Sequence, residues 1–465
     1  GPSGAGKTTL LAAISQRFSG ELRGEIHLSG RPVDKELMMK MSGFVPQHDL
    51  AVKTLTVSEH LNFMAVLKMD RRVSKLQRRR IVESLLLELG LNDSADSRLG
   101  ALSGGERKRL SLAVQLVTDP PVLLCDEPTT GLDSYSAGSV VSLLRQLASR
   151  GKAVLASVHQ PASGIFEQFD TVTLLVPGGR MAYFGEVNSA KLYFSQMGLN
   201  CPTSYNTAEF LVTQLNTLPD KLTEKFVTTN TFVTMHKDIE TVKKKTLNDT
   251  LIYGMEEKFL KFYSVQPSTD KTQIKWLLWR SALDMVRDSH RLFVRLIMYL
   301  VTAILISTPF VGTTVSQEGI QNVQGLSYSV ITETVFSHAY AVMHTFPSEI
   351  PILLREVSNG VYKPAPYYLS KVLFQIPRTI IETILFCLVI YVIAGKGLEV
   401  NFFYFCIPVV VVAVASTAYG YCISAMFESI STASLLSVPV DFISYTFSGI
   451  FLQLSTVPLY LSWVK

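Results

Sequence analysis

The first ten residues of the chain, GPSGAGKTTL, have the types and the spacing of a phosphate-binding loop. Gly1, Gly6, Lys7 and Thr8 fill the pattern G-x-x-x-x-G-K-[ST]. The glycines let backbone N–H groups surround an anion, and the helix predicted to follow adds its positive N-terminal end. We expect Lys7 to bind the β- and γ-phosphates of ATP and the Thr8 hydroxyl to bind Mg²⁺. The expected ATP-binding residues of the loop are Gly1, Pro2, Ser3, Gly4, Ala5, Gly6, Lys7, Thr8 and Thr9.

An acidic pair follows a short apolar run in PPVLLCDEPTTGLDS. The run VLLC predicts a buried parallel strand, which puts Asp126 and Glu127 at its carboxyl end, where open α/β sheets bind ligands. We expect Asp126 to hold Mg²⁺, directly or through water, and Glu127 to polarise the attacking water. The stretch KAVLASVHQP repeats this design. In this stretch His159 follows a predicted apolar strand. A lone histidine is usually structural, but its position at the end of a sheet strand favours a contact between His159 and the γ-phosphate.

Two further polar segments have no specific meaning when each is taken alone. Gln47 follows a short apolar strand in MSGFVPQHDL. In LSGGERKRLSLAVQL, Ser103 and Gly105 precede an amphipathic helix, which again places N–H groups at a positive helix end. The alternative is an ordinary capped helix without a ligand, in which Glu106 matches the helix charge.

The composition indicates a membrane portion. The chain has 465 residues, of which 48% are hydrophobic and only 17% are charged, whereas an average soluble domain has about 25% charged residues. The long apolar runs all lie in the last part of the chain. The net charge of +5 is too small to indicate a nucleic acid partner. The basic cluster between Arg71 and Arg80 favours a solvated helix face, and the cysteine spacing predicts neither a disulfide nor a thiolate-bound metal.

Five apolar runs approach the length of about 20 residues that a membrane-spanning helix needs. Four are clear, whereas the second is doubtful because it carries Glu333, His338 and His344. In the third run Arg378 and Glu382 stand four residues apart and could pair on one helix face. Such lengths argue against a buried soluble core. The five runs are 292–312, 325–346, 372–395, 402–427 and 433–454.

The distribution of basic residues predicts the orientation of these runs. Four arginines precede or begin the first run, the next connection has no Lys or Arg, and the following one has Arg355, Lys363 and Lys371. The positive-inside rule therefore predicts that the amino terminus and the second connection are cytosolic. Lys396, in a short outer turn, is the exception. Arg295 lies near the start of the first run and can extend to the interface.

The segment QIKWLLWRSALDMVRD, ahead of the first run, predicts an amphipathic helix. Ile274, Leu277 and Leu278 lie on one face, and basic residues line the rest. This pattern favours a helix in the membrane interface. The alternative is an ordinary amphipathic helix on a soluble domain.

The phosphate loop, Gln47, LSGGE, CDEPTTGLD and His159 occur in this order and together resemble the ATP-binding cassette (ABC) family. The resemblance spans about residues 1–190. It implies that Gln47 senses Mg²⁺ and faces the membrane domain. It also implies that Ser103 and Gly105 contact the γ-phosphate bound on an opposite subunit, and that Asp133 is an aspartate at that interface.

The same resemblance implies roles that agree with the expectations from the residues themselves. Glu127 is the implied catalytic base, and His159 is the implied γ-phosphate switch. The implied Mg²⁺ residues are Thr8, Gln47 and Asp126.

The order of the parts, with the nucleotide domain before the membrane domain, resembles subfamily G, the White family of half-transporters, and within it the insect eye-pigment transporters. CPTSYNTAEF, LLREVSNGVYKPAPYYLSK and SGIFLQL carry this resemblance. It implies an α/β P-loop ABC nucleotide-binding domain followed by an all-α transmembrane domain. The family has six spans, so we expect five here with the sixth missing. We also expect a chain truncated at both ends, because the strand before Gly1 and the adenine-stacking aromatic would lie upstream. The stretch before Ser103 is shorter than in the family.

The predicted organisation has four parts. They are an ATP-binding domain at 1–190, a linker and helical extension at 191–270, an interfacial connecting helix at 271–291 and a transmembrane domain at 292–465.

The resemblance implies an ATP- and Mg²⁺-dependent half-transporter that pairs with a second half-transporter, identical or different. It would contact membrane lipid and move a small organic molecule, with the nucleotide domain cytosolic, in the plasma membrane or a pigment-granule membrane. A tryptophan-derived eye-pigment precursor is the substrate class the resemblance suggests, and a sterol or lipid is the alternative. Glu333 would contact that substrate or only hydrogen-bond a neighbouring helix. Two other interpretations are a non-transporting fragment and a soluble cassette ATPase, which the apolar runs disfavour.

Overall fold

The computed structural model divides into two compact units. The first comprises Gly1–Thr272 with Ser358–Tyr362, and the second comprises Gln273–Val357 with Lys363–Lys465. The residues described are 1–18, 20–28, 30–47, 50–161, 164–202, 205–248, 262, 264–314, 316, 319–343, 345–395, 400–427 and 429–446. His344, Lys396 and the last part of the fifth apolar run, from residue 447, lie outside them.

A three-stranded parallel sheet organises the first unit. The strands β3 (Ser42–Val45), β4 (Val122–Cys125) and β5 (Ala153–Ala156) lie side by side in that order. The central strand, β4, is buried along its whole length, as its continuous apolar run predicts. Two antiparallel pairs accompany this sheet. They are β1 (His27–Leu28) with β2 (Arg31–Pro32), and β6 (Thr171–Leu175) with β7 (Met181–Glu186).

Ten α-helices accompany these strands in the described part of the first unit. Three of them begin with a capping box, in which a Ser or Thr side chain and a Glu or Gln side chain satisfy each other's backbone N–H groups. The helices are α1 (Lys7–Ile14), α2 (Lys35–Met41), α3 (Val57–Lys68), α4 (Lys75–Glu88), α5 (Gly104–Leu116), α6 (Ser134–Ser149), α7 (Val187–Gln196), α8 (Thr207–Thr217), α9 (Pro219–Val227) and α10 (Asn230–Asn248).

The basic cluster at the start of α4 makes contacts within the chain. Arg72 pairs with Asp70 at 2.5 Å, and Arg79 pairs with Glu83 at 2.8 Å. Both arginine side chains are more than half exposed. This arrangement agrees with the predicted solvated helix face.

Helices are the regular secondary structure of the second unit in its described residues. Three segments are long and apolar enough to cross a membrane, namely Leu292–Phe310, Pro364–Ile393 and Phe402–Met426. They correspond to the first, third and fourth predicted runs. The second run forms a helix of 24 residues that is more polar, and the fifth forms a shorter apolar helix. The helices are α11 (Asp270–Arg287), α12 (Ser289–Ser307), α13 (Ile320–Met343), α14 (Thr345–Ser358), α15 (Pro364–Ile393), α16 (Phe402–Met426) and α17 (Ile430–Thr446).

Charged side chains in the apolar helices of this unit pair with one another. Arg378 binds Glu382 at 2.8 Å on α15, which confirms the pair predicted from their spacing. Arg295 lies 3.2 Å from the same carboxylate. A carboxylate on another helix thus pairs with the Arg295 guanidinium, a contact that the sequence pattern does not predict.

The polar residues of α13 lie on different faces. Thr334 and His338, four residues apart, are buried, and His338 Nε2 lies 3.0 Å from Thr383 Oγ1 on α15. Glu333 is only half-buried. Consecutive residues of a helix point in different directions, so Glu333 does not share the face of Thr334 and His338.

The buried residues of α11 share Leu277 with the apolar face predicted for the membrane interface. Gln273, Leu277 and Arg280 are its buried residues. Both nitrogen–oxygen contacts from Arg280 Nη1 to the Glu356 carboxylate are short, at 2.9 and 2.8 Å, and both side chains are at least nine-tenths buried. Arg280 thus lies with Leu277 rather than on a basic face, since a buried guanidinium needs a paired carboxylate.

Gly420 marks a close approach between two helices of the second unit. A Cβ at this position of α16 would lie 2.5 Å from the backbone oxygen of Ala339 on α13.

We therefore expect Gly420→Ala to lower the apparent melting temperature of the purified protein, because overpacking costs about 1–3 kcal/mol. Gly138, on α6, is the matched control, since a Cβ added there would have no other atom within 4 Å. Gly138→Ala should raise stability by about 0.5–1 kcal/mol. Equal effects of the two substitutions would contradict the close approach.

Candidate nucleotide-binding site

The glycine-rich loop contains two residues with left-handed backbone angles. Gly4 and Gly6 have φ angles of 74° and 78°, in the left-handed region that glycine adopts readily. Gly6 caps α1, so the loop continues into the positive end of that helix. Lys7 Nζ donates to the carbonyl oxygens of Gly1 and Pro2 at 3.0 and 2.9 Å. The lysine therefore lies over the loop that it is expected to serve.

Asp126 connects this loop to the central strand. Its carboxylate, at the end of β4, is 2% exposed. Thr8 Oγ1 donates to Asp126 Oδ1 at 3.0 Å, although the two residues are 118 positions apart in the chain. Ser157, which follows β5, donates to the same oxygen at 2.6 Å. The structure thus brings the two predicted oxygen ligands together and adds a serine that the sequence pattern does not single out.

Glu127 lies beside this pair, and its carboxylate is near Gln47, Thr130 and Lys7. Gln47 Nε2 donates to Glu127 Oε2 at 2.7 Å, and Thr130 Oγ1 donates to the same oxygen at 3.0 Å. Lys7 Nζ lies 3.9 Å from Glu127 Oε1. The φ angle of Glu127 is 46°, a left-handed value that is unfavourable for a residue with a Cβ. The backbone turns sharply at this point, directly after β4.

A buried lysine supports the segment that carries Gln47. Lys108, on α5, is 4% exposed, and its Nζ donates to the carbonyl oxygens of Gln47 and Pro46 at 2.5 and 3.4 Å. Burial of an ammonium group requires such compensation. The only sequence signal for this role is that Lys108 lies four residues before Leu112, on the buried stripe of α5.

A second group of predicted residues lies where α5 and α6 begin. Ser103 caps α5 and Asp133 caps α6, by accepting the Ser136 N–H at 2.9 Å. A Cβ on Gly105 would lie 3.3 Å from Ser136. Ser103 and Glu106 form a capping box, and the hydrogen bonds of the Ser103 side chain to described residues all go to Glu106. The capped-helix alternative is therefore present in the structure.

His159 lies beyond the end of β5, at the same edge of the sheet as Gln47 and Glu127. Its side chain is half-buried. No hydrogen bond between described residues involves its ring.

Comparisons with known proteins agree with this architecture. One family model, described as ABC transporter, matches residues 1–130, and two described as ABC-2 type transporter match residues 159–238 and 272–465. Protein scarlet of Drosophila melanogaster is 36% identical over all of this chain and 72% of its own length. Protein white of the same organism is 36% identical over all of this chain and 69% of its own length. The chain belongs to the G subfamily of ABC transporters.

More distant members of the G subfamily match the whole chain as well. The broad substrate specificity ATP-binding cassette transporter ABCG2 of Sus scrofa is 30% identical over all of this chain and 75% of its own length. This G-subfamily chain therefore combines an ATP-binding domain with a helical, multi-pass membrane domain, and it is a transport ATPase. The membrane domain excludes the soluble cassette ATPase interpretation.

The capping box at Ser103 makes the stability of the first unit depend on pH. Hydrogen bonds from Ser94 and Ser103 lower the pKa of Glu106 from 4.5 to about 2. The ionised Glu106 carboxylate therefore contributes its full stabilisation above the pKa that Glu106 has in the unfolded chain. This contribution is lost as the pH falls towards 2. We expect the wild-type melting temperature to fall more between pH 6 and pH 3 than that of Glu106→Gln. Glu83→Gln, at an exposed position of α4, is the control and should keep the wild-type slope. Parallel profiles for wild type and Glu106→Gln would contradict this role.

Proposed function

We propose that this chain is one half of a dimeric transporter in which the loop, Asp126 and Glu127 bind and hydrolyse Mg²⁺-ATP. The observation that supports this most directly is the hydrogen bond between Thr8 and the buried carboxylate of Asp126. This bond joins the Thr8 hydroxyl and the Asp126 carboxylate beside the glycine-rich loop. The Glu127 carboxylate lies near them, 3.9 Å from Lys7 Nζ.

The two oxygen groups fit a magnesium ion. Mg²⁺ prefers octahedral oxygen ligands at about 2.0–2.1 Å, so adjacent ligands stand about 3 Å apart. Thr8 Oγ1 and Asp126 Oδ1 are 3.0 Å apart. Mg²⁺ usually takes one or two protein carboxylates and completes its shell with water and phosphate oxygens. Thr8 and Asp126 would hold the ion. Gln47, which contacts Glu127 beside them, would sense whether the ion is bound.

The remaining residues of the cluster have separate tasks in hydrolysis. The metal would neutralise charge on the phosphate oxygens. Lys7 would bind the β- and γ-phosphates, as its position over the loop allows. Water attacks the γ-phosphorus, the bond to the bridging oxygen breaks, and the Glu127 carboxylate accepts the proton of the water. The hydrogen bonds from Gln47 and Thr130 orient that carboxylate. His159, at the same sheet edge, would contact the γ-phosphate.

The second group of residues supports the proposal of a dimer. Ser103, Gly105 and Asp133 lie where α5 and α6 begin, and their described hydrogen bonds do not join them to Lys7 or Thr8. We assign them to the ATP bound by a partner subunit, which is a second G-subfamily half-transporter, identical or different. The nucleotide domain is cytosolic in this proposal, in agreement with the basic residues flanking the first apolar run.

The transported molecule is proposed from the resemblance to eye-pigment transporters. It is a small organic compound, and a tryptophan-derived pigment precursor is the leading class. The membrane is then that of a pigment granule or the cell surface. Uptake of labelled tryptophan-derived compounds into vesicles that contain the chain and its partner would test this assignment, and uptake of labelled sterol instead would favour the lipid alternative.

The role of Glu127 can be tested by removing its basicity. We expect Glu127→Gln to keep ATP binding and to lose about 10²–10⁴-fold in hydrolysis, because an amide does not accept the proton of the attacking water. An ATP-bound dimer should accumulate. The control is Glu83→Gln, which changes an exposed carboxylate of α4 and should leave hydrolysis unchanged. Near-normal hydrolysis by Glu127→Gln would refute the assignment.

The shared site can be tested by combining two inactive chains. We expect Lys7→Met and Ser103→Arg each to abolish ATP hydrolysis when the chain is assembled with itself. A mixture of the two should recover activity, since the intact Lys7 of one chain then faces the intact Ser103 of the other. The control places both substitutions in one chain. The mixed dimer of this chain with wild type, isolated from the wild-type dimer, has no intact pair and should be inactive. A dimer of Lys7→Met with Ser103→Arg that forms but stays inactive would contradict a site shared between subunits.

A further inference from the structure

Ser157 lies where the acidic pair meets the neighbouring strand. It directly follows β5 and is 8% exposed. Its Oγ donates to Asp126 Oδ1 at 2.6 Å and accepts the backbone N–H of Glu127 at 2.8 Å. One hydroxyl thus connects the side chain of the first acidic residue to the backbone of the second.

The backbone of Ser157 is itself held by the sheet. Its N–H donates to the carbonyl oxygen of Cys125, the last residue of β4, at 2.9 Å. The hydroxyl is therefore positioned by the strand ladder and not by a loop. The Ser157 hydroxyl therefore has a defined position relative to Asp126 and Glu127.

The bond to Asp126 restricts the orientation of its carboxylate. Oδ1 accepts hydrogen bonds from both Thr8 and Ser157. Oδ2 accepts none from the described residues. With only one donor on Oδ1, rotation of the carboxylate about its terminal bond would be less restricted, because that torsion has a broad energy profile.

The bond to Glu127 supports an unfavourable backbone conformation. The β4 ladder ends at Asp126, whose N–H donates to the Val45 carbonyl oxygen at 2.8 Å. The next N–H, that of Glu127, donates to Ser157 instead, and the φ angle of Glu127 is 46°. Strained backbone persists only where its surroundings hold it. The hydrogen bond from the Glu127 N–H to Ser157 stabilises the backbone at the point where the chain turns away from β4.

We infer that Ser157 is a positioning residue for ATP hydrolysis, which acts through the Asp126 carboxylate and the Glu127 backbone. This inference depends on the proposed roles of Asp126 and Glu127. A role in folding alone would predict a loss of stability and nothing more. A positioning role predicts weaker metal binding and a lower kcat in protein that is still folded.

The test compares Ser157→Ala, Ser157→Thr and Ser15→Ala in the full chain assembled with its partner. Ser15 is the matched control, because it is 0% exposed and its hydroxyl, among the described residues, donates to the Ala12 carbonyl oxygen of the helix that it caps. Three quantities are measured for each protein. They are the apparent melting temperature, kcat and KM for ATP, and the affinity for Mn²⁺ in saturating AMP-PNP, taken from the electron paramagnetic resonance signal of free Mn²⁺.

We expect Ser157→Ala to weaken Mn²⁺ binding and to lower kcat, each by about 10–100-fold, as the loss of an outer partner of a metal ligand commonly does. The KM for ATP should change little, since the loop that binds the phosphates is intact. Ser157→Thr keeps the hydroxyl and should retain most of both properties. Ser15→Ala should match wild type in both.

Two results would overturn the inference. One is a Ser157→Ala protein whose Mn²⁺ affinity and kcat match those of Ser15→Ala. The other is a Ser157→Thr protein that is folded but as impaired as Ser157→Ala.

Asp126→Asn separates this inference from the proposed function. If Asp126→Asn binds Mn²⁺ like wild type, the proposed metal site itself is wrong. If Asp126→Asn loses Mn²⁺ while Ser157→Ala keeps it, the metal site stands and only the role of Ser157 fails.

Discussion

The parallel register of three short strands is the constraint on which the nucleotide site depends. Val45 is aligned with Cys125, and Cys125 is aligned with Ala156, so the three strands end at one level. The side chains that follow emerge together at one edge of the sheet. A slip of one residue would turn alternate side chains to the opposite face. The residues that this register collects are Gln47, Asp126, Glu127, Ser157 and His159.

Much of this edge could be predicted because it follows from local patterns. The apolar run before Asp126 and Glu127 defines a buried strand, and parallel strands share the edge at which they end. Ser157 and Lys108 could not be predicted in the same way. Their roles depend on partners that are far away in the sequence, and neither residue type is unusual at its position. Only the folded chain shows which acceptors they reach.

Ser103 illustrates a different limit of prediction. A serine followed by two glycines and a glutamate predicts both a helix cap and a phosphate contact, and the structure contains the cap. The two roles are compatible, because a capped N terminus still presents backbone N–H groups. Sequence and structure of a single chain thus determine the shape of this surface, whereas the proposed contact involves a second chain.

Two ion pairs of the membrane unit could not be predicted, and the physical reason is the same for both. Helical periodicity assigns a side chain to a face of its helix without knowing what that face meets. Arg295 and Arg280 each pair with a carboxylate far along the chain, Glu382 and Glu356 respectively. The spacing of Arg378 and Glu382 succeeds, since both partners of that pair lie on one helix. Ion pairs are predictable from periodicity only when the helix itself brings the charges together.

The left-handed backbone at Glu127 also has a consequence for the evolution of the family. A residue with a Cβ is less stable there than glycine by about 1–2 kcal/mol, so exchange to glycine would relieve backbone strain and remove the carboxylate at the same time. With the proposed role of Glu127 as the catalytic base, selection for folding and selection for turnover act in opposite directions at this position. A gene copy that no longer needs to hydrolyse ATP would then gain stability by exchanging Glu127 for glycine.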